Sequence, residues 1–310
     1  MNRFLFSLTI ATCFSAGTVI AQPAFPGDAA TARIVSTDLQ HFLEAKVALT
    51  PGADSLQVLQ TLYFDRGTPG LVEYCQRHGL NAELLKEAMA KHPGAYSDIA
   101  SFLEELPVME QELLKDYARL KELLPSAVYP PTYLLVGAHR GIAQASRVGQ
   151  LVTIEKGSSK PEPILHNIVH ELVHFQQAMT QGIEQYQQVY AKPDNMLDLV
   201  LREGGAQFVT YVLVNDNLDT YYQYTYLTEH EEAVKNRFKK DLAQQAAEFW
   251  MWDSLEQDEY PKLLGYAMGC RIAKAYFDRS TDKERALKDI LEIKDANAFL
   301  NASGYLDVEK

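Results

Sequence analysis

Residues 161–182 admit one regular conformation. Ile164, Ile168 and Leu172 form one series at spacing four, and Leu165, Val169 and Val173 form the next, so the apolar side chains share one face of a helix. Pro163 suits a first turn, where its missing N–H goes unused, and Gly182 stands where a helix stop belongs. His170 and His174 border this stripe rather than lying in it. They are one helical turn apart, with Glu171 beside the first. A helix patterned this way buries one face and turns two imidazoles and a carboxylate into a cleft.

That cleft-facing pattern, HELVH, has a chemical reading. Side chains at i and i+4 leave the same face, so both rings can converge on one cation. Zinc suits two neutral imidazoles, and a catalytic zinc takes a third protein ligand while keeping one position for water. The bound water's pKa falls from about 15.7 toward about 7, which makes a nucleophile near neutral pH. Glu171, pointing to the side, is placed to take the water's proton and pass it to a leaving amine.

A third ligand is sought downstream. Residues 194–214 form a second apolar, helix-like run that carries Glu203, followed at once by Gly204 and Gly205. Each glycine costs about 1 kcal/mol against alanine in a helix interior. Close approach of this helix to the metal helix would explain both, because a side chain would block it. The competing reading makes Glu203 a solvated carboxylate paired with Arg202.

With these pieces in view, the chain resembles the glutamate-zincin superfamily of metallopeptidases. More narrowly, it looks like the predicted zinc-dependent protease family related to gliding-motility lipoprotein B. The likeness spans about residues 130–306. It rests on Gly141-Ile142-Ala143 with residues 149–155, on HELVH, on Arg202-Glu203-Gly204-Gly205-Ala206, on residues 261–276 around Leu264-Gly265-Tyr266, and on residues 298–305. The resemblance implies a mostly helical α+β, zincin-like fold: a metal-binding helix pair beside a small sheet whose edge strand precedes the HExxH helix. It also implies one Zn²⁺ per chain on His170, His174 and Glu203.

In thermolysin-like enzymes an Asp four residues after the ligand Glu often orients the first His. Here that position is Gln207, whose amide oxygen can accept an imidazole N–H but adds no charge. Asp198 is the weaker substitute. Tyr266 is the first choice for a donor that steadies the oxyanion, ahead of His230, Tyr211 and His139. His166, one turn before His170, reads as an outer-sphere or rim residue, since a fourth protein ligand would exclude the water.

Residues 1–21 have the form of a signal peptide: Arg3, then an uncharged apolar run, with Val19 and Ala21 at –3 and –1 of a cut before Gln22. The run is barely long enough to span a bilayer and Ser, Thr and Gly interrupt it, so a retained anchor is the poorer reading. The expectation is an exported protein, periplasmic or secreted, with no stable membrane insertion after cleavage. The formal charge of –12 becomes –13 without Arg3, which argues against nucleic acid or anionic lipid as partner. Cys75 and Cys270 would remain, and an oxidising compartment permits either a disulfide or two buried thiols.

Three regions follow: the signal peptide, a helical region over 22–127, and a zincin-like region over 128–310. Residues 36–125 read as short helices broken at Pro51-Gly52, residues 67–70, Gly79 and Pro93-Gly94. They would form a substrate-binding lobe, a lid or an inhibitory cover. Residues 133–136 and 150–154 are the strand candidates, the second expected at an edge open to an extended peptide. Thr228 and Glu231 match a capping box that would open a long helix to about Met251. The expected activity is hydrolysis of peptide bonds in a peptide or protein substrate. The alternative is an exported binding or assembly factor that keeps the metal for structure.

Overall fold

Breaker residues divide the first third of the chain as their chemistry demands. In the computed structural model, which describes residues 25–141, 143–155, 161–192, 196–215, 221–242, 247–251 and 260–307, four short helices come first. These are α1 (Thr37–Ala48), α2 (Ser55–Leu59, continued by a π-helical turn over Gln60–Phe64), α3 (Pro69–His78) and α4 (Ala82–Lys91). The Asp54 carboxylate accepts from the N–H groups of Leu56 and Gln57, and the Asn81 amide from that of Leu84. Gly79, at φ 65°, closes α3 in the left-handed conformation. The run of short helices ends at α5 (Ile99–Leu123), 25 residues long with Pro107 inside it. Phe102, Leu106, Met109, Leu113, Tyr117 and Leu120 bury one continuous face across that proline. Packing therefore carries the helix through a residue that costs about 3 kcal/mol in isolation.

A four-stranded mixed sheet comes next, made of β1 (Ile34–Val35), β2 (Thr132–Leu135), β3 (Ala143–Ala145) and β4 (Gln150–Thr153). The order is β1-β2-β4-β3, with β1 and β4 parallel to β2, and β3 antiparallel to β4. Two sequence expectations change here. The strand over 150–154 exists but lies inside the sheet, and β3 forms the edge beside it. β3 has only three residues, none β-branched, so pattern gave no sign of it. β1 belongs to the region before residue 128 yet pairs with β2, so residues on both sides of Ala127 share one sheet and one core.

The remaining chain is helical: α6 (Pro161–Gln181), α7 (Ile183–Ala191), α8 (Met196–Val214), α9 (Tyr222–Glu229), α10 (Glu231–Leu242), α11 (Ala247–Met251), α12 (Leu264–Arg279), α13 (Lys283–Leu291) and α14 (Ala296–Ser303). The class is α+β, mostly α. No described helix is long and apolar enough to cross a membrane. Residues 1–21, read as a signal peptide, lie outside the described residues.

The capping box at Thr228 does not form. Thr228 lies within α9, where its hydroxyl donates to the Tyr224 carbonyl four residues back and accepts from Arg271. The next helix starts at Glu231, and the stretch expected as one helix to Met251 is described as α10 and α11. Cys75 on α3 and Cys270 on α12 are free thiols, not a disulfide. Burial raises both, Cys75 to about 11 and Cys270 to about 12, so neither is a ready thiolate.

α6 is the hub of the site. It packs against β3 and β4 of the sheet and against α5, α7, α8 and α13. Ile168, Val169, Leu172 and Val173 are fully buried there, as the stripe predicts. The sheet thus floors the helix while α8 meets its polar edge.

Candidate metal centre

His170 and His174 leave α6 one turn apart, and α8 brings Glu203 between them. His174 Nε2 is 3.0 Å from His170 Nε2 and 3.1 Å from Glu203 Oε2, and His170 Nε2 is 3.4 Å from the same oxygen. All three side chains are buried. They form the one group of His, Cys, Asp or Glu side chains among the described residues that could hold a metal ion. Glu203 is not a solvated partner of Arg202. The Arg202 guanidinium turns away, its carbon 3.9 Å from the Tyr186 ring centroid and 5.0 Å from that of Tyr190, while Nη1 donates to the Tyr186 carbonyl.

The two glycines after Glu203 serve a different contact from the one expected. A methyl group at Gly204 would collide with the backbone of Gly269 in α12, and one at Gly269 with the Val200 carbonyl. At Gly205 an added Cβ would sit 3.2 Å from Ile290 of α13 and 3.8 Å from Gln177 of α6. The close approach is therefore between α8 and α12, with α6 at ordinary distance. Its result is that α12 carries Tyr266 to the centre, where its ring lies 6.3 Å from that of His170, stacked at 27°. Burial, reinforced by the nearby Glu203 charge, holds the Tyr266 pKa far above the ordinary value.

Glu171 is buried on α6, its carboxylate close to the Ala145 backbone at the end of β3. Burial raises its pKa to about 7 against the opposing pull of His174. Burial would depress both imidazoles, and it does lower His170, to about 4. At His174 the Glu203 carboxylate, together with Glu171 and the Gln177 amide, outweighs burial and raises the ring to about 9. Burial opposes ionisation of Glu203 too, yet the two rings pull it well below the usual carboxylate range. Without a metal, then, His174 and Glu203 form an ion pair.

The outer contacts depart from the sequence expectation. Gln207 reaches His166, Nε2 to Nε2 at 2.7 Å, and not His170, so Gln207 and His166 pair with each other. His170 Nδ1 is buried with no hydrogen-bond partner among the described residues. His174 has the support instead: its Nδ1 lies 2.8 Å from Gln177 Oε1. Tyr190 donates to Glu203 Oε1 at 3.4 Å. Sequence reasoning passed over Gln177, Tyr186 and Tyr190; the spacing of Gln177, three residues after His174, was the available signal.

His230 and His139 are elsewhere. His230 stacks on Tyr226 at 4.2 Å, and His139 on His92 at 3.9 Å, with its N–H held by Glu155. Compared with protein-family models, with curated proteins and with solved structures, the chain matches none.

Proposed function

We propose that this protein is an exported zinc-dependent metallopeptidase of zincin-like fold. The observation that carries the reading is the convergence of His170, His174 and Glu203 on one point with the Glu171 carboxyl alongside. Bonds of about 2.0–2.1 Å to a tetrahedral zinc put ligand atoms about 3.3 Å apart. The observed separations of 3.0, 3.1 and 3.4 Å suit that size of ion. Two imidazoles and one carboxylate are also a donor set that leaves the fourth position to water.

When bound, zinc would acidify that water and polarise the scissile carbonyl. The protein's own groups do the rest. Glu171, with a pKa near neutrality, accepts a proton from the attacking water and returns it to the amine as the C–N bond breaks. Tyr266, whose ring lies beside that of His170, donates a hydrogen bond to the developing oxyanion and stabilises its negative charge. The β3 edge ends beside Glu171, so an extended peptide added to that edge would pass the base.

Glu171→Gln tests the assignment. It should keep the metal and abolish peptide hydrolysis; turnover equal to wild type would contradict the mechanism. In cells, a purely structural metal site would survive Glu171→Gln and fail on His170→Ala.

A further inference from the structure

One amide joins the two ligand-bearing helices. Gln177, almost wholly buried on α6, donates through Nε2 to the Arg202 carbonyl on α8 at 2.9 Å, while its Oε1 lies 2.8 Å from His174 Nδ1. We propose that Gln177 is the positioning residue of the centre: it dictates which nitrogen of His174 faces the metal and ties that ring to the backbone beside Glu203. This rests on the metal-site reading.

The direction of the amide follows from chemistry. A backbone carbonyl only accepts, so the group facing Arg202 must be the NH₂ of Gln177. The oxygen then faces His174, and an amide oxygen also only accepts, so Nδ1 must carry the proton. The ring's lone pair is left on Nε2, the atom 3.1 Å from Glu203 Oε2. Arg202 directly precedes Glu203, so the same amide sets the span between one ligand and the residue adjoining another.

Both ends of this link are held. The Arg202 guanidinium is stacked on Tyr186 and Tyr190 and hydrogen-bonded to Gln181 at 3.3 Å, which fixes that turn of α8. Gly205 leaves open the space next to the Gln177 amide. His170 has no such support among the described residues, its Nδ1 being unpartnered. Orientation of the centre therefore depends on His174, and through it on Gln177.

The test combines a spectrum of the wild-type protein with zinc titrations of two variants. In metal-free wild type at alkaline pH, where the ring is neutral, ¹H–¹⁵N correlation of His174 should show the proton on Nδ1. Gln177→Met removes both hydrogen bonds at similar volume and should weaken zinc binding, read by chelator competition, by about 10–100-fold. Gln177→Glu still accepts from Nδ1–H but, when ionised, cannot donate to the Arg202 carbonyl, so it should recover part of that loss, which a residue that merely fills space would not do. A proton on Nε2 in wild type, or zinc affinity unchanged in Gln177→Met, would overturn the proposal. If wild type binds no zinc yet shows the Nδ1 proton, the metal reading fails while the orientation by Gln177 stands.

Discussion

Gly204 and Gly269 meet backbone to backbone where α8 crosses α12: a methyl on Gly269 would strike the Val200 carbonyl and stand 3.0 Å from Gly204 Cα. This crossing sets the helix that carries Tyr266 against the helix that carries Glu203. Neither glycine has a flexible neighbour that can give way, since the atoms in conflict are main chain. Gly269→Ala should therefore destabilise the protein by at least the roughly 1–3 kcal/mol typical of overpacking, read as a lower thermal midpoint. Unchanged stability would mean that the helices are not in contact here.

Tyr266 owes its place to that crossing, and its hydroxyl is the group the mechanism uses. Tyr266→Phe keeps the ring beside His170 and removes the donor. The expected outcome is zinc content like wild type with kcat lower by about 10²–10³-fold, the usual loss for one oxyanion donor. An undiminished kcat would assign Tyr266 to packing alone.

Metal uptake should depend on pH in a definite direction. In the metal-free protein His174 is raised to about 9 by Glu203 despite burial, and an imidazolium cannot ligate. The ion pair thus stabilises the metal-free fold fully below about 6.5, and that stability fades as pH rises through about 9. Zinc must displace the proton, so apparent affinity should rise with pH up to about 9 and level off above. Calorimetry in buffers of different ionisation enthalpy would show the released proton. Affinity flat across that range would contradict the His174–Glu203 pairing.

Arg202 holds α7 against the centre by a planar stack, which lysine cannot reproduce. Arg202→Lys keeps the charge and should still loosen Tyr186 and Tyr190, with a stability loss of about 1–2 kcal/mol. Hydrogen exchange of α7 should rise in step. No change in either would leave the stack without structural weight.

What the sequence disclosed depended on the range of each interaction. The HELVH helix and its buried stripe are local patterns, and Ile164 to Val173 pack as their spacing predicts. Glu203 was identifiable because an acid followed by two glycines in an apolar helix needs a reason. The partner of Gly204 is not, since Gly269 lies 65 residues on and helix pairing over that distance leaves no periodic trace. β3 was too short and too weakly β-branched to register. Thr228 and Glu231 carry the letters of a capping box, but the threonine hydroxyl found a carbonyl within its own helix instead. Gln207 contacts His166 instead of His170; the two rings share a face of α6, and only the placement of α8 decides between them.

Whether His170, His174 and Glu203 together bind one metal ion can be read from the metal content of the purified chain, wild type beside Glu203→Ala, after metal-replete preparation. Close to one zinc per wild-type chain is expected, with clear loss in the variant. Wild type without zinc, or equal content in both, would contradict such binding.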